Sequence, residues 1–225
     1  MPADSTEGNG TSPDFGSRLD RLTDCLLEAR TLGLLGPGPV ERHLEHSGWF
    51  SVAVVEALGA VPDRVVDLGS GAGVPGLVMA ISWPEAQFVL VEAGTRRVEH
   101  LRKTIGVCGL EERVMVERTR AEEAGREPSH RGHFPTVVAR SFGKPSVTAE
   151  CGAPFLSPGG VLVVSEPPSG DRVRDRWPAD GLRELGLDLE DVVEGAFRFA
   201  VLRQIVACPE RYPRRVGMPA KRPLF

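Results

Sequence analysis

Aromatic side chains are scarce in this sequence of 225 residues: they make up 6% of the chain, and a single one is a tyrosine. So few rings argue against an extended platform on which unpaired nucleobases stack in succession. Long apolar runs are missing as well, since no stretch approaches the ~20 residues that cross a bilayer. The first fourteen residues hold neither the basic start nor the apolar stretch of a signal peptide. We therefore expect a cytoplasmic protein without membrane contact.

Closely spaced cysteines are also missing. The four cysteines lie far apart, and no two of them have the spacing of a metal site or a redox motif. We interpret them as separate reduced thiols and expect no bound metal. The chain length suits one globular domain with modest extensions, and we expect a monomer. The four residues are Cys25, Cys108, Cys151 and Cys208.

Charge is distributed unevenly along the chain. The net charge is −4, yet residues 203–225 carry six arginine and lysine residues against Glu210 alone. An acidic body with a basic end indicates a localised contact with a polyanion. The same charges would also suit a solvated tail that keeps the chain in solution.

Hydrophobic patterning divides the chain into four parts. The beginning has almost no large apolar side chains, which is typical of disorder. A first helix is predicted from about residue 17 to residue 31, because its leucines recur on one face. The four parts are a disordered N-terminal tail (1–14), a helical segment packed on the core (15–60), the main domain (61–208) and a basic C-terminal tail (209–225).

The main domain alternates between short apolar runs and helical patterns. This alternation predicts an α/β fold with a parallel sheet that is covered on both faces. The ligand site of such a sheet lies at the carboxyl ends of its strands. The predicted strands are 64–68, 87–93, 113–118, 136–141 and 161–166, followed by a hairpin or neighbouring antiparallel pair at 191–197 and 198–208.

The glycine-rich stretch DLGSGAGVPG (67–76) joins the first strand to a helix, as in loops that bind nucleotide-like ligands. A G-x-G-x-x-G pattern begins at Gly71, which is the fingerprint of a dinucleotide site. That pattern starts two residues after the turn has begun at Gly69, and Asp67 at the strand end would repel a pyrophosphate. The same carboxylate can accept a hydrogen bond from the ammonium group of S-adenosylmethionine (SAM). We therefore favour SAM over NAD as the ligand.

Three further strands end in polar residues. Glu92 stands 25 residues after Asp67, where a carboxylate can accept both ribose hydroxyls of either SAM or NAD. The stretch 120–122 follows the third strand and either flanks the adenine or starts a solvated helix. Arg140 follows the fourth strand, where it is either a ligand residue or part of a structural ion pair.

Six separate stretches resemble the RsmG family, also called GidB, over roughly residues 41–225. The family consists of SAM-dependent methyltransferases that modify N7 of a guanine in small-subunit (16S) ribosomal RNA. The resemblance implies a class I, Rossmann-like fold with a mostly parallel, doubly wound, seven-stranded sheet and an N-terminal helical extension. The matching stretches are ERHLEHS (41–47), VVDLGSGAGVPGLVMAI (65–81), VEAGTRRVEHLRK (91–103), RAEE (120–123), VVARSF (137–142) and YPRRVGMPAKRPL (212–224).

The resemblance also assigns roles to individual residues. It implies cofactor contacts at Gly69 and Val74, an adenine flanked by Ala121 and Glu122, and Arg140 beside the cofactor and the substrate. Guanine N7 has a free lone pair and no proton, so the reaction needs no general base, and no catalytic residue is assigned beyond Arg140 as a candidate for positioning the substrate. Together with the residues argued from local chemistry, the predicted cofactor site comprises Asp67, Gly69, Gly71, Val74, Glu92, Ala121, Glu122 and Arg140.

Two departures from the family concern the substrate side. Family members usually carry Lys-Gly after the fifth strand, where this chain has Glu166 and Pro167. Lys144 follows the fourth strand closely and is a candidate for supplying the missing cation. The two histidines of ERHLEHS, His43 and His46, are interpreted as surface or packing residues of a helix.

The predicted partner is small-subunit ribosomal RNA or an assembling small ribosomal subunit. Arginine and lysine side chains would contact its phosphates while an unstacked base enters the site. Two alternatives remain open: a SAM-dependent methyltransferase for a small molecule or another RNA, and a non-catalytic SAM- or RNA-binding paralogue. The candidates for RNA contacts are Arg211, Arg214, Arg215, Lys221 and Arg222, with further cations at Arg96, Arg97, Arg102 and Lys103.

Overall fold

Seven strands form one sheet in the computed structural model of the protein, which describes residues 13–168 and 172–225. The predicted disorder of residues 1–14 falls almost entirely outside this part of the chain. The strands are β1 (Arg64–Leu68), β2 (Gln87–Glu92), β3 (Val114–Arg118), β4 (Phe134–Ala139), β5 (Leu156–Glu166), β6 (Leu187–Glu194) and β7 (Arg198–Gln204).

The strand order is β3-β2-β1-β4-β5-β7-β6. The first five strands are parallel to their neighbours, whereas β7 runs antiparallel to both β5 and β6. The order reverses between β1 and β4, so this edge of the sheet is the expected ligand site. The predicted doubly wound, mostly parallel seven-stranded sheet is confirmed.

Helices cover both faces of the sheet. The predicted N-terminal helix begins at Pro13, four residues earlier than its leucine pattern indicates. Three of the nine α-helices in the described residues, α7, α8 and α9, lie where patterning predicts no element, because each is shorter than two turns. The helices are α1 (Pro13–Thr31), α2 (Val40–Leu58), α3 (Gly76–Ser82), α4 (Thr95–Cys108), α5 (Ala121–Ala124), α6 (Pro145–Gly152), α7 (Val173–Arg176), α8 (Ala179–Arg183) and α9 (Met218–Lys221).

The core has two layers, one on each face of the sheet. Helices α1 to α4 bury one layer, which includes Phe50 and Leu101, and helices α5 to α8 bury the other, which includes Phe155. Strand β1 contributes to both layers, since Val65 packs in the first and Val66 in the second. Alternation along this strand therefore places the side chain of Asp67 on the same face as Val65, beneath α3.

Strand β5 is longer than its sequence indicates. The stretch 157–160 (SPGG), predicted as a turn, belongs to β5, and the pairing register with β4 shifts there before resuming at Val161 opposite Thr136. The glycines and proline thus produce an irregularity within a strand rather than its start. No helix of the described residues is long and apolar enough to cross a membrane.

The segment 209–225, predicted from its charge to be a basic tail, is folded against the domain. Tyr212 is buried, and the guanidinium group of Arg131 donates hydrogen bonds to the carbonyls of residues 208, 209 and 212. The Leu224 N–H donates to the hydroxyl of Ser146, 2.8 Å away. A count of charges misses this packing, because the segment is fixed by a few apolar side chains and by backbone hydrogen bonds.

Candidate functional site

Three cavities lie side by side at the carboxyl ends of the strands. The loop cavity has a volume of about 240 Å³ and is lined by the glycine-rich loop, including Gly69, Gly71 and Val74. The β2–β3 cavity, of about 510 Å³, lies beyond the ends of β2 and β3. The β5 cavity, of about 660 Å³, lies beyond the ends of β4 and β5. Ser141 lines all three, so the cavities meet just after β4.

A side chain on Gly69, or on Gly76, fits only if a neighbouring side chain shifts. Gly69 has a φ of +65°, and a Cβ atom there would stand 2.7 Å from the ring of Phe142. A Cβ atom on Gly76 would stand 2.6 Å from Oδ2 of Asp67. The loop therefore packs tightly on its inner side, while its outer side lines the loop cavity.

Asp67 supports the loop from below. Its carboxyl group is buried and accepts the backbone N–H of Gly76 at 3.1 Å, at the start of α3. Burial raises the pKa of Asp67 to about 7. The direct ammonium contact predicted for Asp67 is not what this geometry provides, because strand alternation turns the side chain towards α3 and away from the three cavities.

The position of Asp67 nevertheless bears on the choice of ligand. A dinucleotide places its pyrophosphate on the free N–H groups at the start of this helix. Here the Gly76 N–H already has the carboxyl group of Asp67 as its partner, so it is not free for a phosphate. This pairing disfavours a pyrophosphate at the start of α3.

The β2–β3 cavity contains the predicted ribose and adenine residues. Glu92 lies at the end of β2, where its two oxygens accept the backbone N–H groups of Gly71 at 3.0 Å and Gly94 at 2.8 Å. Ala121 and Glu122 line the same cavity. One oxygen of Glu122 accepts the N–H of Gly217 at 3.0 Å, so the C-terminal segment closes this side of the cavity.

Arg140 stands between the loop cavity and the β5 cavity and lines both. Its Nη2 group donates to Nδ1 of His43, and the other ring nitrogen of His43 lies 3.3 Å from the carbonyl of Gly36. Burial and the adjacent Arg140 lower the pKa of His43, which therefore accepts as a neutral ring. Nη1 of Arg140 is buried and has no hydrogen-bond partner among the described residues.

His43 and Ser141 are site residues that sequence reasoning missed. His43 is interpreted as a surface or packing residue, but it orients Arg140, from which it is separated by 97 positions. Ser141 adopts a φ of +53°, a left-handed conformation that is rare outside glycine and often found at functional sites. The only signal for either residue is its position within a stretch that resembles the family.

Two cations that were predicted to contact the substrate, Lys144 and Arg214, have other surroundings in the structure. Lys144 lines the β2–β3 cavity and not the β5 cavity, so it does not supply the cation that the resemblance implies after β5. Arg214 forms an ion pair with the fully buried Glu150 at 2.6 Å, which gives it a structural partner. The remaining C-terminal cations, Arg211, Arg215, Lys221 and Arg222, are exposed.

Within residues 13–168 and 172–225, no group of three or more histidine, cysteine, aspartate or glutamate side chains is arranged to hold a metal ion. The four cysteines are buried and unpaired with one another, and burial raises the pKa of each thiol.

The fold is that of class I methyltransferases. An O-methyltransferase from Bacillus cereus in complex with SAH is 15% identical, with a TM-score of 0.60 over 82% of this chain and 90% of that one. The mitomycin 7-O-methyltransferase MmcR is 18% identical, with a TM-score of 0.59 over 85% of this chain and 68% of that one. The sheet order agrees with this class.

Sequence comparison identifies the family. A family model described as "rRNA small subunit methyltransferase G" (GidB) matches residues 17–167. The ribosomal RNA small subunit methyltransferase G of Syntrophomonas wolfei is 36% identical over 194 residues, which cover 84% of this chain and 87% of the relative. That of Deinococcus deserti is 38% identical over 170 residues, covering 72% and 68%. The chain belongs to this family, its methyl donor is SAM, and the predicted resemblance is confirmed.

Proposed function

We propose that this protein transfers a methyl group from SAM to N7 of a guanine in 16S ribosomal RNA. The observation that carries the proposal is the meeting of three cavities at Ser141, with Arg140 between two of them. A ligand that fills the loop cavity and the β2–β3 cavity would reach the entrance of the β5 cavity. The β5 cavity is large enough for a nucleobase. Family membership supports the same substrate.

The cofactor fits the first two cavities in one orientation. The adenosine lies in the β2–β3 cavity, with Glu92 accepting the ribose hydroxyls and with Ala121 and Glu122 along the adenine. The methionine part lies in the loop cavity against Gly69, Gly71 and Val74. Since Gly69 and Arg97 line both cavities, one elongated ligand spans them.

The residues of the site position groups and do not move protons. When bound, SAM supplies an electrophilic methyl group on a sulfonium, and guanine N7 offers a lone pair that carries no proton. Catalysis therefore depends on proximity and alignment of the reacting atoms. Arg140 is the candidate for this task, because its buried Nη1 group lacks a partner and neutral His43 holds its other side. An N–H group there would donate a hydrogen bond to a carbonyl oxygen such as guanine O6.

Exposed cations of the C-terminal segment would contact RNA phosphates. Arg211, Arg215, Lys221 and Arg222 are free to do so, whereas Arg214 is engaged with Glu150. Such contacts make affinity depend steeply on salt concentration. We place the reaction in the cytoplasm, on a monomeric enzyme, with ribosomal RNA or an assembling small subunit as the partner.

The proposed reaction is tested by mass mapping of 16S ribosomal RNA from a strain that lacks this gene. We expect one N7-methylguanine to disappear and to return with the wild-type gene, but not with an Arg140→Ala variant. Arg64→Ala serves as the matched control, because it removes an arginine outside the three cavities. Unchanged methylation in the deletion strain would overturn the proposal, and methyl transfer without any ribosomal RNA would support an enzyme for a small molecule.

The cofactor site is tested separately by calorimetry with SAM and NAD. Gly69→Asp places a carboxylate against Phe142, and Glu122→Arg reverses a charge beside the adenine, so both variants should lose SAM affinity while remaining folded. Glu127→Arg makes the same reversal on the exposed surface and should bind normally. Retained affinity in Gly69→Asp or Glu122→Arg would mean that the site lies elsewhere.

A further inference from the structure

Glu166, which stands where the family resemblance implies a lysine, is buried beside an arginine. Glu166 ends β5, and its side chain is 1% exposed. One of its oxygens accepts the indole N–H of Trp177 at 2.8 Å, and the other lies 2.9 Å from Nε of Arg176. A buried carboxylate requires such partners, since an unpaired charge in the interior is strongly destabilising.

This arrangement brings a cation to the substrate side of the fold. Arg176 ends α7, ten residues after Glu166, Trp177 follows it, and both line the β5 cavity. Nε of Arg176 lies at ion-pair distance from Glu166 without hydrogen-bond geometry, and the side chain remains 30% exposed. Within residues 13–168 and 172–225, its terminal amino groups have no hydrogen-bond partner. A guanidinium held in this way keeps its fork of donors available for a phosphate.

The wall of the β5 cavity is positive overall. It includes Arg42, Arg140, Arg176 and Arg198, against the single carboxylate of Glu166. Two of these arginines are paired away from the cavity wall, since Arg42 contacts Glu45 and Arg198 contacts Glu194. Arg140 donates to a neutral histidine and forms no ion pair within the described residues. Arg176 differs from the other arginines of this wall, because the carboxylate that holds it, Glu166, belongs to the same wall.

We propose that Arg176 binds a phosphate of the RNA strand that leads the target nucleotide into the β5 cavity, and that Glu166 is the residue that positions it. The pair would take the place of the lysine that resembling sequences carry at the end of β5. The acidic residue therefore serves RNA binding indirectly, by fixing a cation. This inference rests on the proposed function, since it names a substrate contact of the same site.

The test uses the full-length protein with small-subunit ribosomal RNA from the deletion strain. Arg176→Ala should raise the KM for RNA about tenfold, the loss of one charged contact, while kcat and the affinity for SAM stay within about twofold. The slope of log affinity against log salt should fall by about 0.7 to 0.9, as expected for one phosphate contact. Arg183→Ala is the matched control, because this arginine is exposed, pairs with Asp180 and lies outside the cavity.

Glu166→Gln separates a positioning role from simple electrostatics. Removing a negative charge near a polyanion should strengthen RNA binding, whereas releasing Arg176 should weaken it. We expect weaker binding, and little further loss when Glu166→Gln is added to Arg176→Ala, because both changes remove one contact. The double variant also removes both charges, so it stays folded even where Arg176→Ala alone leaves Glu166 unpaired and unstable.

Two results would overturn the inference: an unchanged salt slope in the variants that lack Arg176, or tighter RNA binding by Glu166→Gln. If the wild-type protein does not methylate ribosomal RNA at all, the proposed function fails instead. If it does methylate and the Arg176 variants match Arg183→Ala, only the role of Arg176 is refuted.

Discussion

Replacing Arg214 should destabilise the fold, although its charge alone would mark it as an RNA contact. Arg214 serves Glu150, which lies in α6 and is fully buried. One oxygen of Glu150 accepts both the backbone N–H and the Nε–H of Arg214 at 2.8 Å, and the other accepts Nη2 at 2.6 Å. In Arg214→Ala only the backbone N–H remains, so a buried carboxylate loses its countercharge.

The expected cost follows from this geometry. Breaking a buried ion pair by removing one partner costs ~3–5 kcal/mol. Because the side chain of Arg214 is 25% exposed, water can reach the vacated position, and we expect the lower end, about 3 kcal/mol. For a protein of this size, that loss corresponds to a fall of about 6–12 °C in the melting temperature.

Urea unfolding followed by circular dichroism measures the effect. Arg215→Ala provides the control, since it removes the same charge from the neighbouring exposed position and should change stability by less than about 0.5 kcal/mol. Adding Glu150→Gln to Arg214→Ala should recover part of the loss, because it removes the unpaired charge. Equal stability of Arg214→Ala and Arg215→Ala would refute the reasoning.

Three further predictions concern the loop and the nearby histidine. Gly76→Ala should cost about 1–3 kcal/mol in urea unfolding, because its Cβ would meet Asp67, whereas Gly48→Ala in α2 has open space and should not destabilise. Burial raises the pKa of Asp67 to about 7, and cationic SAM favours the ionised form of this carboxyl group. The affinity for SAM, measured by calorimetry, should therefore rise between pH 6 and pH 8. An affinity that does not change with pH would contradict this. Burial lowers the pKa of His46 to about 4, so the unfolded chain takes up the proton first and stability should fall as the pH drops from ~6.5 towards 4. Replacing His46 by glutamine should remove that part of the pH dependence.

Sequence reasoning was most successful where the information is local. The strand, glycine loop and helix of residues 64–82 are carried by contiguous residues with a clear pattern, and they appear in the structure as predicted. Element boundaries were less accurate at irregular positions. The stretch 157–160 looks like a turn because of its glycines and proline, but pairing with β4 keeps it within a strand.

The site residues illustrate the same division. Gly69, Gly71, Glu92 and Ala121 follow strand ends and lie at cavities, because the carboxyl ends of parallel strands meet at one edge. Asp67 also follows this rule, yet its side chain turns to α3, since alternation along β1 decides its face. The position of Asp67 at the end of a strand does not reveal which face of the sheet its side chain lies on, and the predicted ligand contact depends on that face.

The sequence by itself determined the family, the cofactor and the alternation of strands and helices, because each depends on contiguous motifs or on periodic burial. Only the tertiary structure decided which charged groups meet. Three such contacts join separate elements: His43 with Arg140, Glu166 with Arg176, and Glu150 with Arg214. No regular spacing in the sequence relates the two partners of a pair. Such pairs are selected by burial, which forces each interior charge or polar group to find a partner wherever the chain has brought one.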